Sequence, residues 1–529
     1  MSQTQIAPNV DSTASQPILR VRLSQSQHYL VIAALFSFCI APTFISYQPY
    51  RFAWDESDYF ARSIAASRAF WSRDVRGLGA AMVSIRPPMM TLLGIPWGPL
   101  RTWEEASKCF ITLAAAIALM VAMSLYLLLR IGPRPVFLIA ASLCTWLSMG
   151  LQWPQSLTHA CATAFLADTF FAWTALAAAL LIPLEARTNC STTLDAVLRG
   201  ALWAVIISLG AMTKLNFLYF VALIMPALAF LRFRLHGPLN ALAAMAAFTC
   251  CSAPSAIYLI RYGHLAFENL KASSFGSIAG FYNRPLLSFL AATTRDTPGM
   301  AVSFLLIATS LLYLAIRRRL ARSRADLGTL VIMIGFAIIV FSATNRQIRY
   351  AFPAVVALPF LTALLMSGEQ SPTSRRTAAM AAIMVFCGLL VASVPMRHRP
   401  DARSLSRCNA VLAAAERWNA HQILLATDSP NLNSQLMELA TLFSSRPVLA
   451  GTLAYGAMYR LPVEEDFGAM NNADLIVFQD RFRGEPQFTN QRVAQYEAYA
   501  QRIGNGPIRI TDDMYVYRIH TREQQQNSQ

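Results

Sequence analysis

The chain has 529 residues, of which 55% are hydrophobic and only 14% are charged, and its net charge at pH 7 is +16. Repeated apolar runs, each roughly 20 residues long, are typical of helices that cross a bilayer, so the composition excludes an ordinary soluble protein. Because most Arg residues fall in short loops between these runs, the positive charge favours anionic lipid over nucleic acid as the partner.

The nine cysteines indicate no covalent or metal framework. Most of them lie in apolar runs, and no Cys-x-x-Cys or Cys/His spacing occurs. We therefore expect neither a disulfide framework nor a zinc site. The sequence requires no cofactor, although Glu56 could hold a divalent metal, so the need for one stays open.

In chain order, a polar tail (residues 1–27) precedes a first apolar run that we interpret as a retained anchor, since it lacks a cleavage site of small residues. A break around Lys214 divides the stretch 197–231 into two short helices. The full pattern predicts eleven spans: 28–47, 104–129, 135–150, 160–183, 197–213, 216–231, 238–258, 299–316, 327–343, 350–367 and 377–394.

Arg residues concentrate in alternate connections between the predicted spans. The positive-inside rule then places the N-terminus in the cytoplasm and the C-terminus outside. We expect an integral protein of the bacterial inner membrane, with a periplasmic C-terminus.

The first outer loop, residues 48–103, opens with three acids within four residues: Asp55, Glu56 and Asp58. Acids near a bilayer are costly and tend to be functional. The alternative is structural, because acids also stabilise the start of a helix. We expect the structural role for Asp58, and for Asp55 both the functional and the structural interpretation stay open.

From about residue 395 the composition becomes that of a soluble protein. Short strands are predicted at 421–428, 473–479, 508–510 and 515–519, and helices near 432–444 and 488–502. We expect a polytopic α-helical membrane core, residues 28–394, followed by a soluble α/β domain, residues 395–529, outside the membrane.

The predicted topology places several acids and cations together on the outer face. Arg or Lys can hold a phosphate, while a carboxylate accepts a proton from an attacking hydroxyl; this is the chemistry of sugar transfer from a lipid phosphate. The candidate residues are Asp55, Glu56, Asp58, Arg86, Asp168, Lys214, Arg346, Arg349 and Tyr350.

Five motifs in these regions resemble those of GT-C glycosyltransferases, above all protein O-mannosyltransferases and lipid A aminoarabinose transferases. The segment Trp54-Asp-Glu-Ser-Asp-Tyr-Phe-Ala-Arg is similar to the acidic signature of that family's first external loop. Arg86-Pro-Pro-Met is similar to its Lys-Pro-Pro-Leu segment, with Arg in place of Lys and Met in place of Leu. Three more motifs follow in the family's order: Phe165-Leu-Ala-Asp-Thr-Phe-Phe, Ser208-Leu-Gly-Ala-Met-Thr-Lys and Arg349-Tyr-Ala-Phe-Pro.

The resemblance implies a GT-C-like core and a polyprenyl-phosphate sugar as donor. It also implies inversion at the anomeric carbon, with Asp55 as the general base. Glu56 would assist in catalysis, Asp58 and Asp168 would support the site, and the donor phosphate would contact Arg86, Lys214, Arg346, Arg349 and Tyr350. The acceptor, whether a lipid, a glycan or a protein, stays open.

Plainer roles exist for the same residues. Arg86 and Lys214 could extend from span ends to the interface, and Asp168 could pair with a cation inside the bundle. Two other protein classes are alternatives. A transporter or lipid flippase predicts inverted repeats, which the sequence does not show. An O-antigen ligase or polymerase predicts key basic residues in a late loop, whereas here the acidic loop comes first.

Overall fold

The computed structural model describes most of the chain. The described residues are 25–40, 54–84, 86–149, 167–188, 192–275, 285–296, 298–317, 324–342, 350, 352–368, 373–393, 402–429, 432–444, 448–453, 461–480 and 492–519.

Helices account for most of these residues, in keeping with the apolar runs of the sequence. Up to residue 275 the helices are α1 (Gln25–Ile40), α2 (Trp54–Trp71), α3 (Val75–Met82), α4 (Met89–Leu92), α5 (Trp103–Ala106), α6 (Lys108–Ile131), α7 (Pro135–Met149), α8 (Ala167–Arg187), α9 (Thr193–Ala211), α10 (Leu218–Tyr262) and α11 (His264–Phe275). After it come α12 (Leu286–Asp296), α13 (Pro298–Ile316), α14 (Arg324–Ser342), α15 (Phe352–Ser367) and α16 (Arg375–Ser393).

Six of the described helical stretches are long and apolar enough to cross a membrane, judged by length and composition. They are Trp103–Ile131, Ala167–Arg187, Thr193–Ala211, Leu215–Tyr262, Pro298–Ile316 and Arg324–Ser342. Three shorter apolar helices accompany them: Tyr29–Ile40, Pro135–Ser148 and Phe352–Ser367. The protein is therefore mostly helical and membrane-embedded, while the number of eleven spans stays a prediction.

Two breaks separate helices where the sequence predicts separate spans. The predicted break around Lys214 is observed, since α9 ends at Ala211 and α10 begins at Leu218. Within α10, Gly237 has a φ of +82° and precedes Pro238. Glycine adopts this left-handed φ without steric cost, and proline supplies no N–H to continue the helix. This break lies between the predicted spans 216–231 and 238–258.

The centre of the bundle is α8, whose residues from Ala167 to Glu185 are all buried. Its Trp173 packs against Phe36 of α1 and Phe360 of α15, with ring centroids 6.4 and 6.1 Å away. Aromatic pairs at these separations add specific contacts to the burial of apolar surface. The central position of α8 explains how Asp168, in its first turn, comes to lie inside the protein.

The chain after residue 401 forms a sheet with helices. Its elements are α17 (Ala402–Arg417), β1 (Gln422–Leu425), α18 (Ser434–Thr441), β2 (Leu449–Thr452), α19 (Val463–Asn471), β3 (Leu475–Gln479), α20 (Val493–Ile503), β4 (Gly504–Thr511) and β5 (Met514–Ile519). The strand order is β2-β1-β3-β5-β4. The first three strands are parallel, and β5 runs antiparallel to both β3 and β4. The extent of this C-terminal segment as a domain and its place outside the membrane stay predictions.

Candidate active site

Helix α2 carries the acidic motif of the first predicted outer loop. Asp55 and Glu56 lie in its first turn, where a carboxylate interacts favourably with the helix dipole. Their side chains lie outside the described part of the structure. The catalytic roles of Asp55 and Glu56 therefore stay predictions.

Asp58 connects the acidic helix to the Arg86-Pro-Pro motif. Its Oδ1 accepts a hydrogen bond from Arg62 Nε at 2.9 Å, and its Oδ2 lies 3.0 Å from Arg86 Nε. The guanidinium of Arg86 also lies over the ring of Tyr59, 4.6 Å from its centroid. The Asp58 side chain is only 8% exposed, so its charge requires such partners. Asp58 therefore does more than stabilise the start of α2, because it also holds Arg86 in place.

Lys214 lies in a second cluster, between α9 and α10. Its ammonium donates a hydrogen bond to Asp168 of α8, so Asp168 has the cation partner that its plainer role requires. The Lys214 Nζ also lies 6.0 Å from the ring centroid of Phe171 and 5.2 Å from that of Tyr350. Tyr350 is thus brought to Lys214 from more than a hundred residues away in sequence.

Hydrogen bonds to main-chain carbonyls join the segments that carry the two clusters. The N–H of Met89, three residues after Arg86, donates to the carbonyl oxygen of Met212, two residues before Lys214, at 3.0 Å. On the other side, Ser63 of α2 donates to the carbonyl of Met90 at 2.5 Å. The acceptors are main-chain carbonyls, which every residue has, so the sequence does not reveal these bonds.

Two of the predicted phosphate contacts, Arg346 and Arg349, lie outside the described residues. Tyr350, which directly follows them, is described and lies at Lys214. Within the described part of the chain, no group of three or more His, Cys, Asp or Glu side chains is placed to hold a metal ion.

The C-terminal segment packs onto α2 through α18, a contact that the sequence does not predict. Arg68 of α2 donates to the carbonyl of Leu442 at 2.6 Å, and its guanidinium lies 5.3 Å from the ring centroid of Phe443. Phe443 in turn packs on Trp103, with ring centroids 4.2 Å apart. The C-terminal segment is therefore fixed to the same helix that carries Asp55.

This arrangement is suited to binding an anion. A guanidinium has five N–H donors and an ammonium three, so a cation anchored by one carboxylate can also donate to a phosphate. Asp58 and Asp168 would then position Arg86 and Lys214 and would lower the cost of burying their charges.

No protein-family model matches the sequence, and no curated protein matches it. Among solved structures, the chain is similar to ArnT from Cupriavidus metallidurans in the apo state, with 14% identity, 93% of this chain and 98% of that chain covered, and a TM-score of 0.51. Weaker likenesses are to the same protein bound to undecaprenyl phosphate (13% identity, 92% and 97% covered, TM-score 0.47) and to the Archaeoglobus fulgidus oligosaccharyltransferase in the apo form (12% identity, 90% and 71% covered, TM-score 0.46). The fold that the five motifs imply is thus confirmed: the chain shares the fold of ArnT over nearly its whole length.

Proposed function

We propose that the protein is a membrane glycosyltransferase that moves a sugar from a polyprenyl-phosphate donor to an acceptor hydroxyl on the outer face of the membrane. The observation that carries the proposal is the hydrogen bond from Met89 to Met212. It brings the segment of Arg86 against that of Lys214, within the fold of ArnT. Two segments from distant motifs, each carrying a cation and joined beside an acidic helix, suit the stabilisation of a phosphate leaving group.

In the proposed reaction, the acceptor oxygen attacks the anomeric carbon from the face opposite the phosphate. The bond between the acceptor oxygen and the anomeric carbon forms as the bond between the anomeric carbon and the phosphate oxygen breaks. The electron pair of the broken bond leaves with the carrier phosphate. The acceptor proton passes to Asp55. Arg86 and Lys214 stabilise the charge that develops on the phosphate, together with Arg346, Arg349 and Tyr350. A single displacement inverts the anomeric centre.

Turnover tests this proposal directly. The purified protein is incubated with a panel of undecaprenyl-phosphate sugars and a membrane extract as the source of acceptor, and released undecaprenyl phosphate is measured by mass spectrometry. Undecaprenyl is the chosen carrier because ArnT has been crystallised with undecaprenyl phosphate. We expect Asp55→Asn to lower turnover by a factor of about 100 or more, the usual contribution of a positioned base.

Asp74→Asn is the matched control. Asp74 caps α3 by accepting a hydrogen bond from the N–H of Gly77 at 2.9 Å, and Asn caps a helix equally well. We expect its turnover to equal that of the wild type. Normal turnover by Asp55→Asn would remove Asp55 as the base.

A flippase is the alternative function, and the same purified protein can be used to test it. Transfer of labelled undecaprenyl phosphate across proteoliposomes without any sugar attached would favour a flippase and oppose the proposal. Release of carrier phosphate only when a sugar donor is present would support the glycosyltransferase.

A further inference from the structure

A cleft lies where the first predicted outer loop meets the C-terminal segment. Its walls come from Trp103 at the start of α5, from one face of α17, and from the end of α18 with the residues that follow it. The volume of about 290 Å³ is close to the lower end of the range of about 300–1,000 Å³ that small-molecule sites occupy. The cleft can therefore hold a small ligand or one unit of a larger one.

The aromatic wall of this cleft is fixed by contacts within the protein. Trp103 and Phe443 both line the cleft, and their ring centroids are 4.2 Å apart. The guanidinium of Arg68 lies 5.3 Å from the ring centroid of Phe443. A capping box between Thr102 and Glu105 fixes the main chain at Trp103. A wall that is already in place lowers the entropic cost of binding a ligand.

Helix α17 contributes polar side chains at both ends of an apolar strip. Asn409 and Glu416 line the cleft, and both are exposed to water. They are two helical turns apart, about 10 Å along the axis, with Leu412 between them on the same face. Ser444 adds a hydroxyl to the lining. The cleft thus combines a carboxylate, a carboxamide and a hydroxyl with apolar and aromatic surface.

This combination suits a sugar ring better than a lipid phosphate or an acyl chain. A sugar ring has an apolar C–H face that can pack on an aromatic side chain, and its hydroxyls can hydrogen-bond to carboxylates and amides. The carboxylate of Glu416 would repel a phosphate, and an acyl chain would make no use of the polar side chains. The chemistry of the lining therefore indicates a saccharide.

The cleft is separate from the proposed reaction centre. Arg68, which contacts the aromatic wall, follows Asp55 on α2 by about 20 Å of helix. Trp103 begins the candidate span Trp103–Ile131, so in the predicted topology the cleft lies at the outer end of that span, on the side expected for Asp55. A sugar bound in the cleft is therefore not the sugar that reacts.

We propose that the cleft binds a sugar unit of the acceptor, and that the acceptor is a glycan chain extending from the C-terminal segment to the acidic helix. The role as an acceptor subsite rests on the proposed glycosyltransferase function. Binding one unit of the chain in the cleft raises the local concentration of its reacting hydroxyl at Asp55, as in any bivalent interaction.

Binding is tested on an array of immobilised oligosaccharides, probed with the labelled full-length protein in detergent. We expect the wild type to bind. In the double variant Asn409→Ala/Glu416→Ala, the Kd for the oligosaccharide bound most tightly should rise about tenfold or more, because a neutral and a charged hydrogen-bond partner are lost together. Both side chains are exposed, so the variant keeps its fold.

Two further variants complete the binding test. Trp103→Ala removes part of the aromatic wall and should weaken binding of the same oligosaccharide, without changing any polar partner from α17. Glu464→Ala is the matched control, because it removes an exposed carboxylate from α19, another helix of the same segment. It should bind the array as the wild type does.

Steady-state kinetics separate the acceptor from the donor. With membrane extract as the acceptor source, the double variant should need about tenfold more extract for half-maximal turnover. Its KM for the undecaprenyl-phosphate sugar should be unchanged, because the proposed phosphate contacts do not include Asn409 or Glu416. A rise confined to the KM for the undecaprenyl-phosphate sugar would overturn the assignment to the acceptor.

Failure of the inference and failure of the proposed function give different results. Absence of oligosaccharide binding by the wild type, or equal binding by the double variant, would overturn the inference and leave the proposed function standing. Binding to a peptide array that the double variant loses would indicate a protein acceptor and would also overturn it. Absence of turnover by the wild type would overturn the proposed function and the acceptor role, while the oligosaccharide array would still report on the cleft.

Discussion

Lys214 and Asp168 illustrate how one buried charge determines the placement of another. Asp168 is only 2% exposed in the first turn of the central helix, and it accepts a hydrogen bond from the Lys214 ammonium. Removing one member of such a pair leaves the other charge buried without compensation, which costs about 3–5 kcal/mol. The pair therefore has a structural role in addition to the proposed contact of Lys214 with phosphate.

We expect Lys214→Met to lower the melting temperature of the purified protein in detergent by several degrees, since about 3 kcal/mol of compensation for Asp168 is lost. Adding Asp168→Asn should recover much of the loss, because the buried charge is then removed as well. Melting is followed by intrinsic fluorescence. A double variant no more stable than Lys214→Met would contradict the pairing.

The sequence identifies some functional candidates among single residues, but it does not predict their contacts. The acids and cations of the five motifs are visible in the sequence because charged residues are rare in so apolar a chain. Asp58 could be recognised as an important acid, but its pairing with both Arg62 and Arg86 depends on how loop and helix meet.

Close contact between helices depends on small residues at the crossing points. Gly200 of α9 faces the second half of α10, and a Cβ added there would overlap the carbonyl oxygen of Ala244. The two helices must separate to admit even one methyl group. The segment of Lys214 lies between these same helices, so their packing helps to position it.

Gly200→Ala is therefore expected to destabilise the protein by about 1–3 kcal/mol, the typical cost of an overpacked contact. Gly328→Ala, in α14, is the matched control, because a Cβ there meets nothing within 4 Å. It should leave the stability unchanged or raise it by about 0.5–1 kcal/mol, since Ala favours a helix. Melting temperatures in detergent compare the two, and equal shifts would contradict a close crossing at Gly200.

At the scale of the whole molecule, the C-terminal segment and α2 are joined by a small set of contacts centred on Arg68. Its Nε donates to the carbonyl of Leu100 at 2.7 Å, while its Nη1 donates to that of Leu442. The ring of Phe443 lies between this guanidinium and Trp103. One side chain thus links the first loop to the sheet-containing segment.

Arg68→Ala should loosen this junction, because two hydrogen bonds from a charged group and a cation–π contact are lost together. We expect faster hydrogen exchange of the backbone over residues 434–443, with little change in the strands β3 and β5. Arg76→Ala, which removes an exposed Arg from α3, should leave the exchange as in the wild type. Exchange that is equally slow in Arg68→Ala would show that α18 is held by other contacts.

The sequence by itself determined the apolar helices, the break at Lys214, the strands after residue 420 and the order of the five motifs. These features follow from local hydropathy, periodicity and residue type, which act over a few neighbouring positions. Only the tertiary structure decided that Arg86 pairs with Asp58, that Lys214 meets Asp168 and Tyr350, and that Arg68 donates to Leu442. Those contacts join residues from 28 to 374 positions apart, and they arise from packing and hydrogen bonds that no local pattern encodes.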